Sequence, residues 1–130
     1  MPDTASPSPE SVDTSALRWH VVQYGAREHY AIPRALHGIG RMERMYTEAW
    51  LGGGAGFRSL VKKLGPLGRA YGGRYHPDIP SRLVKSRPAW RGLADAWLSR
   101  DRGKETVSER YARYLELGRR FGGWAAGAMA

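Results

Sequence analysis

The chain has 130 residues, the size of a single α/β unit, and 42% of them are hydrophobic, so a buried core is within reach. It contains no cysteine, which excludes disulfides and thiolate metal sites. No apolar run approaches the ~20 residues of a membrane-spanning helix, and no basic-then-apolar pair of regions opens the chain, so a cytoplasmic protein without a secretory leader is expected. The net charge of +9, chiefly arginine, favours anionic partners such as nucleic acid, sugar nucleotides or the inner face of a membrane. Arginine-, alanine- and glycine-rich composition also marks proteins from GC-rich genomes, so charge alone selects no partner.

In chain order, residues 1–16 (MPDTASPSPESVDTSA) are Pro, Ser, Thr and acid. They cannot bury enough apolar surface to order themselves, and a disordered leader is expected, with the folded unit over 17–130. LRWHVVQYG, 17–25, reads as a strand: β-branched Val21 and Val22 lie between Trp19 and Tyr24. Its near-continuous apolar character predicts burial on both faces, as in a parallel sheet. Gly25 ends it. A helix is predicted from about His29, because Pro33 is tolerated only in a first turn. Ile32, Ala35, Leu36 and Ile39 would form its apolar face, with Gly38 and Gly40 as stops.

A second strand is predicted around Glu43–Thr47, followed by the flexible LGGGAG of 51–56. FRSLVKKLG, 57–65, is a short amphipathic helix with Phe57, Leu60, Val61 and Leu64 on one side and Arg58, Lys62 and Lys63 on the other. The plain expectation is that its apolar side packs on the sheet. Residues 66–80 read as broken helix, then loop. SRLVKSRP, 81–88, supplies a third strand. Trp90, Leu93, Ala94 and Trp97 fall at helical spacing over 89–100, with both tryptophans expected in the core. After a turn at 101–104, Thr106 and Glu109 form a capping box. A helical stripe of Val107, Tyr111, Tyr114, Leu115, Leu117, Phe121 and Trp124 follows. Alternating strands and helices predict an α/β fold, a partial Rossmann-like parallel sheet with flanking helices.

The knot Gly25, Ala26, Arg27, Glu28, His29, Tyr30 is either a solvent-exposed connector or the lip of a binding site. In open α/β sheets ligands sit outside the carboxyl ends of the strands, and this is the first strand-to-helix turn. Glycine permits close approach, Arg27 offers a fork for anions, and Glu28 or His29 could hydrogen-bond a hydroxyl. The plain alternative is a solvated Arg27–Glu28 pair with His29 and Tyr30 capping the helix. LGGGAG lacks the Lys-Ser/Thr of a phosphate-binding loop. His20, His29, His37 and His76 show no metal-ligand spacing beyond the His29–His37 gap, so no metal is expected. No GxGxxG or nucleophile elbow is present.

HVVQYGAREHYAIPRALHGIGRMERMYTEAW resembles the opening of a group of bacterial family 4 glycosyltransferases, whose first strand, turn and helix read like QYGAR-x-HYAIPRALH. GRYHPDIP and SRLVKSRP are similar to that family's stretch leading into its third strand. The resemblance runs from Trp19 to Pro88, and more loosely to the Gly-Arg-Arg-Phe-Gly of 118–122. It implies a GT-B architecture of two Rossmann-like domains, the N-terminal one holding the acceptor and the C-terminal one the nucleotide-sugar donor, usually with a paired-glutamate motif and no metal. The chain looks like part of the first domain only, a truncated or split enzyme. Such enzymes are roughly three times longer. It would not transfer sugar alone; a separately encoded C-terminal half would be its partner, and a nucleotide-sugar would bind only in the intact enzyme. By the same resemblance, Gly25–Tyr30 would line an acceptor cleft for a sugar or lipid-linked acceptor, with Arg27 and His29 leading. The helix with Arg58, Lys62 and Lys63 would suit peripheral contact with anionic membrane. The alternative is a small basic nucleic-acid-binding module, carried by Arg110, Arg113, Arg119 and Arg120. Glu105, Glu109 and Glu116 on the same stretch fit a solvated face better than a phosphate track.

Overall fold

Three short segments of β-formers pair into one parallel sheet: β1 (Trp19–Gln23), β2 (Met42–Thr47) and β3 (Val84–Ser86), in spatial order β1-β2-β3. The computed structural model that defines them describes residues 14–100 and 103–130; a few side chains, those of Arg27 and Trp90 among them, lie outside the described set. Val21, Val22 and Gln23 stand beside Met45, Tyr46 and Thr47, and these three stand beside Val84, Lys85 and Ser86. The register shifts between Trp19 and His20, where β2 carries one extra residue.

β2 is therefore the central strand, and Met42, Met45, Tyr46 and Thr47 on it are buried. This corrects the expectation for β1. Its apolar run does not mark a strand buried on both faces: Trp19, His20 and Val22 are exposed because β1 is an edge strand. Sequence alone hides this, since Glu43 and Arg44 make the true central strand the more polar one.

The sheet is covered on both faces. On one, Tyr30, Met42, Met45 and Ile79 form the core, with Val21, Leu36, Trp50, Leu83 and Val84 packed around them. Fully burying one such side chain contributes roughly 1.5–3 kcal/mol. Helix α1 (Ala31–Gly38) closes this face; Leu36 is half-buried, whereas Ile32, Ala35 and Ile39 are exposed. On the other face lies the last helix, α5 (Val107–Met129). Phe121 meets Tyr24 edge-on at 5.3 Å and Trp124 meets Tyr46 at 6.1 Å. The chain is thus α/β with a partial Rossmann-like parallel sheet between helices.

Between β2 and β3 come α2 (Ala55–Lys62) and α3 (Gly65–Gly72), and after β3 comes α4 (Pro88–Ser99). α2 packs chiefly against α3, and Phe57, Leu60 and Leu64 are exposed. The expected burial of that apolar side is corrected: Val61 alone of its four residues is half-buried, and the helix offers its closest packing to α3. Trp97 is not core either. It is 36% exposed, with the guanidinium groups of Arg113 and Arg120 each 5.9 Å from its ring; Trp90 lies outside the described side chains.

The capping box that opens α5 is formed. The Thr106 hydroxyl accepts from the Glu109 amide at 3.3 Å, and the Thr106 amide donates to the Glu109 carboxylate at 2.7 Å. The predicted stripe divides: Leu117 and Phe121 are buried, while Val107, Tyr111, Tyr114 and Leu115 are exposed. At the other end of the chain, the segment read as a leader ends in order. Thr14–Ala16 form a 3-10 turn whose Thr14 carbonyl accepts from the Arg41 guanidinium; residues 1–13 lie outside the described set.

Candidate functional site at the carboxyl edge of the sheet

The first strand-to-helix turn begins with Gly25, at φ 88°. Its amide donates to the Glu48 carboxylate at 2.8 Å, and its carbonyl accepts from the Gln23 side chain at 3.1 Å. Arg27–Tyr30 then form a 3-10 stretch in which Glu28, His29 and Tyr30 take φ of 49°, 50° and 60°. Three successive non-glycine residues in the left-handed region cost roughly 1–2 kcal/mol each. Such strain persists where surrounding structure over-determines it, and it concentrates at functional sites.

Three anchors hold this turn. Gly25 is tied to Glu48. Tyr30, 1% exposed, is sunk into the core, its ring edge-on to Trp50 at 5.3 Å. Pro33, buried in the first turn of α1, fixes the helix entry. The helix accordingly starts at Ala31, two residues after the predicted start. The left-handed turn leaves Glu28 and His29 exposed, side by side at the carboxyl end of β1. Of the six sequence candidates, then, Gly25 and Ala26 are half-buried scaffold, Glu28 and His29 face solvent, Tyr30 is core, and the side chain of Arg27 lies outside the described set.

Behind the turn stands a charge pair that sequence reading missed. Glu48, the residue after β2, is fully buried, and its carboxylate lies 2.8 Å from the Arg74 guanidinium. The Thr47 hydroxyl donates to the same carboxylate at 3.0 Å. Desolvation of this size is tolerated only because carboxylate and guanidinium compensate each other. The Tyr30 hydroxyl sits in the same buried environment without a well-aligned hydrogen bond. Burial pushes its pKa up to about 12, the Arg74 charge opposing and Glu48 adding to the rise.

The loop that delivers Arg74 is stitched to its neighbours. The Leu51 amide donates to the Arg74 carbonyl at 2.7 Å, and the Trp50 indole donates to the Ser81 hydroxyl at 3.0 Å. Arg34 of α1 holds Asp78 at 2.9 Å, and Asp78 lies 3.6 Å from His76. Trp50 stacks obliquely on Tyr75 at 5.5 Å, and Arg58 lies 3.7 Å over the Tyr75 ring. The carboxyl edge is thus a rigid shelf of aromatic and paired charged groups carrying one strained turn. The signal available in sequence was positional: a carboxylate directly after a predicted strand, and an arginine in the GRYHPDIP loop.

The basic residues singled out elsewhere have structural partners. Arg58 donates to the Gly53 carbonyl as well as covering Tyr75, while Lys62 at the end of α2 and Lys63 just after it are exposed. Arg110 and Arg113 lie 3.0 and 3.5 Å from Glu105, and Arg119 and Arg120 lie 2.8 and 2.7 Å from Glu116. The two arginines hold the Glu116 carboxyl well below its usual range, at about 2, Arg119 first. No described helix is long and apolar enough to cross a membrane. Comparison with models of known protein families, with curated proteins and with solved structures finds no match.

Proposed function

We propose that this chain is the acceptor-side α/β unit of a family 4 glycosyltransferase, and that the turn at Gly25–Tyr30 positions an acceptor hydroxyl. The observation that carries the reading is the strained left-handed turn, held from beneath by Glu48 and Tyr30, which displays Glu28 and His29 at the carboxyl end of β1. The carboxyl end of a parallel sheet is where α/β folds gather ligands. A carboxylate and an imidazole on one anchored turn can accept from and donate to a hydroxyl with their backbone already placed, which lowers part of the entropic cost of binding. The resemblance of QYGAREHYAIPRALH to the family's first turn adds the chemical class of the ligand. Transfer itself would need the donor-binding domain, and no catalytic base is assigned. The nucleic-acid reading loses ground, because all four arginines expected to track phosphates are paired with Glu105 or Glu116.

The test is an amide chemical-shift titration of the isotopically labelled chain with free monosaccharides and, separately, with a micellar lipid-linked sugar. The expected result is a saturable set of shifts centred on Gly25, Glu28 and His29, abolished by His29→Ala. Shifts scattered over the lysines and arginines, or none, would overturn the proposal.

A further inference from the structure

We propose that the α2–α3 hairpin docks on an anionic lipid surface, with Phe57, Leu60 and Leu64 entering the bilayer interface and Lys62 and Lys63 attracted to its phosphates. The hairpin is built on glycine. A β-carbon at Gly68 of α3 would collide with the Val61 carbonyl, and one at Gly72 with the side-chain stem of Lys62. Only glycine lets the two helices approach this closely. The Arg58 guanidinium, 3.7 Å over the Tyr75 ring, ties the first turn of α2 to the carboxyl edge of the fold. These contacts use Arg58, Val61 and the Lys62 stem. They leave Phe57, Leu60 and Leu64, at helical spacing, 54%, 59% and 68% exposed.

The occupant follows from charge. Residues 49–77, which contain the whole hairpin, carry five Lys and Arg and no Asp or Glu. Lys62 and Lys63 are exposed. At helical spacing Lys63 stands about 60° round from Leu60, beside the apolar trio, and Lys62 lies across the helix. A helix is only about 10 Å across, roughly one Debye length at 0.1 M salt, so both ammonium groups feel a charged surface that the trio touches.

Apolar insertion and electrostatic attraction together are what a reversible membrane contact requires. Nucleic acid would use the cations but gain nothing from two leucines, because aliphatic side chains offer bases no stacking platform. An apolar protein surface would cover the trio without using the one-sided charge of the stretch. A lipid interface with anionic headgroups uses both. An eight-residue helix is far too short to span a bilayer, so α2 lies in the plane of the interface.

The test is co-sedimentation of the full chain with vesicles of phosphatidylcholine alone and of two parts phosphatidylcholine to one part phosphatidylglycerol. Binding is expected to the anionic vesicles only, and should fall as salt rises. Lys62→Glu with Lys63→Glu should weaken it by about 25-fold or more, at about fivefold per lysine. Leu60→Ser with Leu64→Ser should weaken it by about tenfold or more. Arg18→Glu with Lys104→Glu makes the same change in net charge at exposed positions outside the hairpin and should cost little. The chain has no cysteine, so Leu60→Cys carries a single environment-sensitive fluorophore. Its emission should brighten and shift to the blue on anionic vesicles, while the same label on Lys104→Cys should not. No vesicle binding, equal losses from the two charge-reversed pairs, or equal responses of the two labels would overturn the inference. So would binding to a single-stranded oligonucleotide without binding to vesicles, which would give the face to nucleic acid. None of these readouts involves Glu28 or His29, so they stand or fall apart from hydroxyl binding at the turn.

Discussion

Replacing Arg74 by methionine tests the claim that a buried ion pair fixes the turn. Methionine keeps the apolar stem and removes the guanidinium 2.8 Å from the Glu48 carboxylate. Glu48, fully buried, would keep the Gly25 amide at 2.8 Å and the Thr47 hydroxyl at 3.0 Å but lose its counter-charge. Breaking one side of a buried pair costs about 3–5 kcal/mol. The low end applies, because the Arg74 side chain is 14% exposed and already partly hydrated. Against a total stability of about 5–15 kcal/mol this is a large share, and it corresponds to a Tm lower by about 10–20 °C for a chain of this length. Adding Glu48→Gln removes the stranded charge while retaining an acceptor for Gly25, so the double variant should be more stable than Arg74→Met alone. The assay is denaturant unfolding followed by circular dichroism, at fixed protein concentration because association would contribute to apparent stability. A loss below about 1 kcal/mol for Arg74→Met, or a double variant that equals the sum of the single ones, would refute the argument.

Two further outcomes follow from the same turn. The Tyr30 pKa, raised from 10 to about 12, means the folded chain keeps a proton that the unfolded chain releases in that window. Its contribution is therefore complete below pH 10 and fades as pH rises toward 12, by about 3 kcal/mol. Tyr30→Phe should remove this alkaline loss at little cost near neutrality, as seen by unfolding across that range and by tyrosinate absorbance; an unchanged alkaline limb would count against it. His29→Gly should stabilise the fold by about 0.5–1 kcal/mol, the reverse of the usual glycine effect, because glycine adopts φ of 50° without penalty. Destabilisation in a denaturant titration would argue that the turn is not left-handed.

The local elements were legible wherever pattern and punctuation agreed. Val21 and Val22 before Gly25 marked β1, Pro33 limited the start of α1, and the Thr106–Glu109 box opened α5. What could not be read was which surface each element would meet. An apolar strand at the centre of a sheet and one at its edge have the same composition, so WHVVQ read as buried. The periodicity around α2 places Phe57, Leu60 and Leu64 together, but it does not say what they meet, and all three are exposed. The turn itself was visible as a knot of unlike residues. Its anchor was not, because Glu48 and Arg74 are 26 positions apart and each reads alone as an ordinary surface charge. Long-range pairing of this kind leaves no trace in local spacing.

Glu28 and His29 are neighbours on the strained turn and both face solvent. Glu28→Gln removes the charge but keeps an acceptor, so the hydroxyl-induced shifts at His29 should weaken without vanishing, whereas His29→Ala should abolish them. If neither variant changed the shifts, the turn would be acting only as scaffold, and neither side chain would hold the role assigned to it.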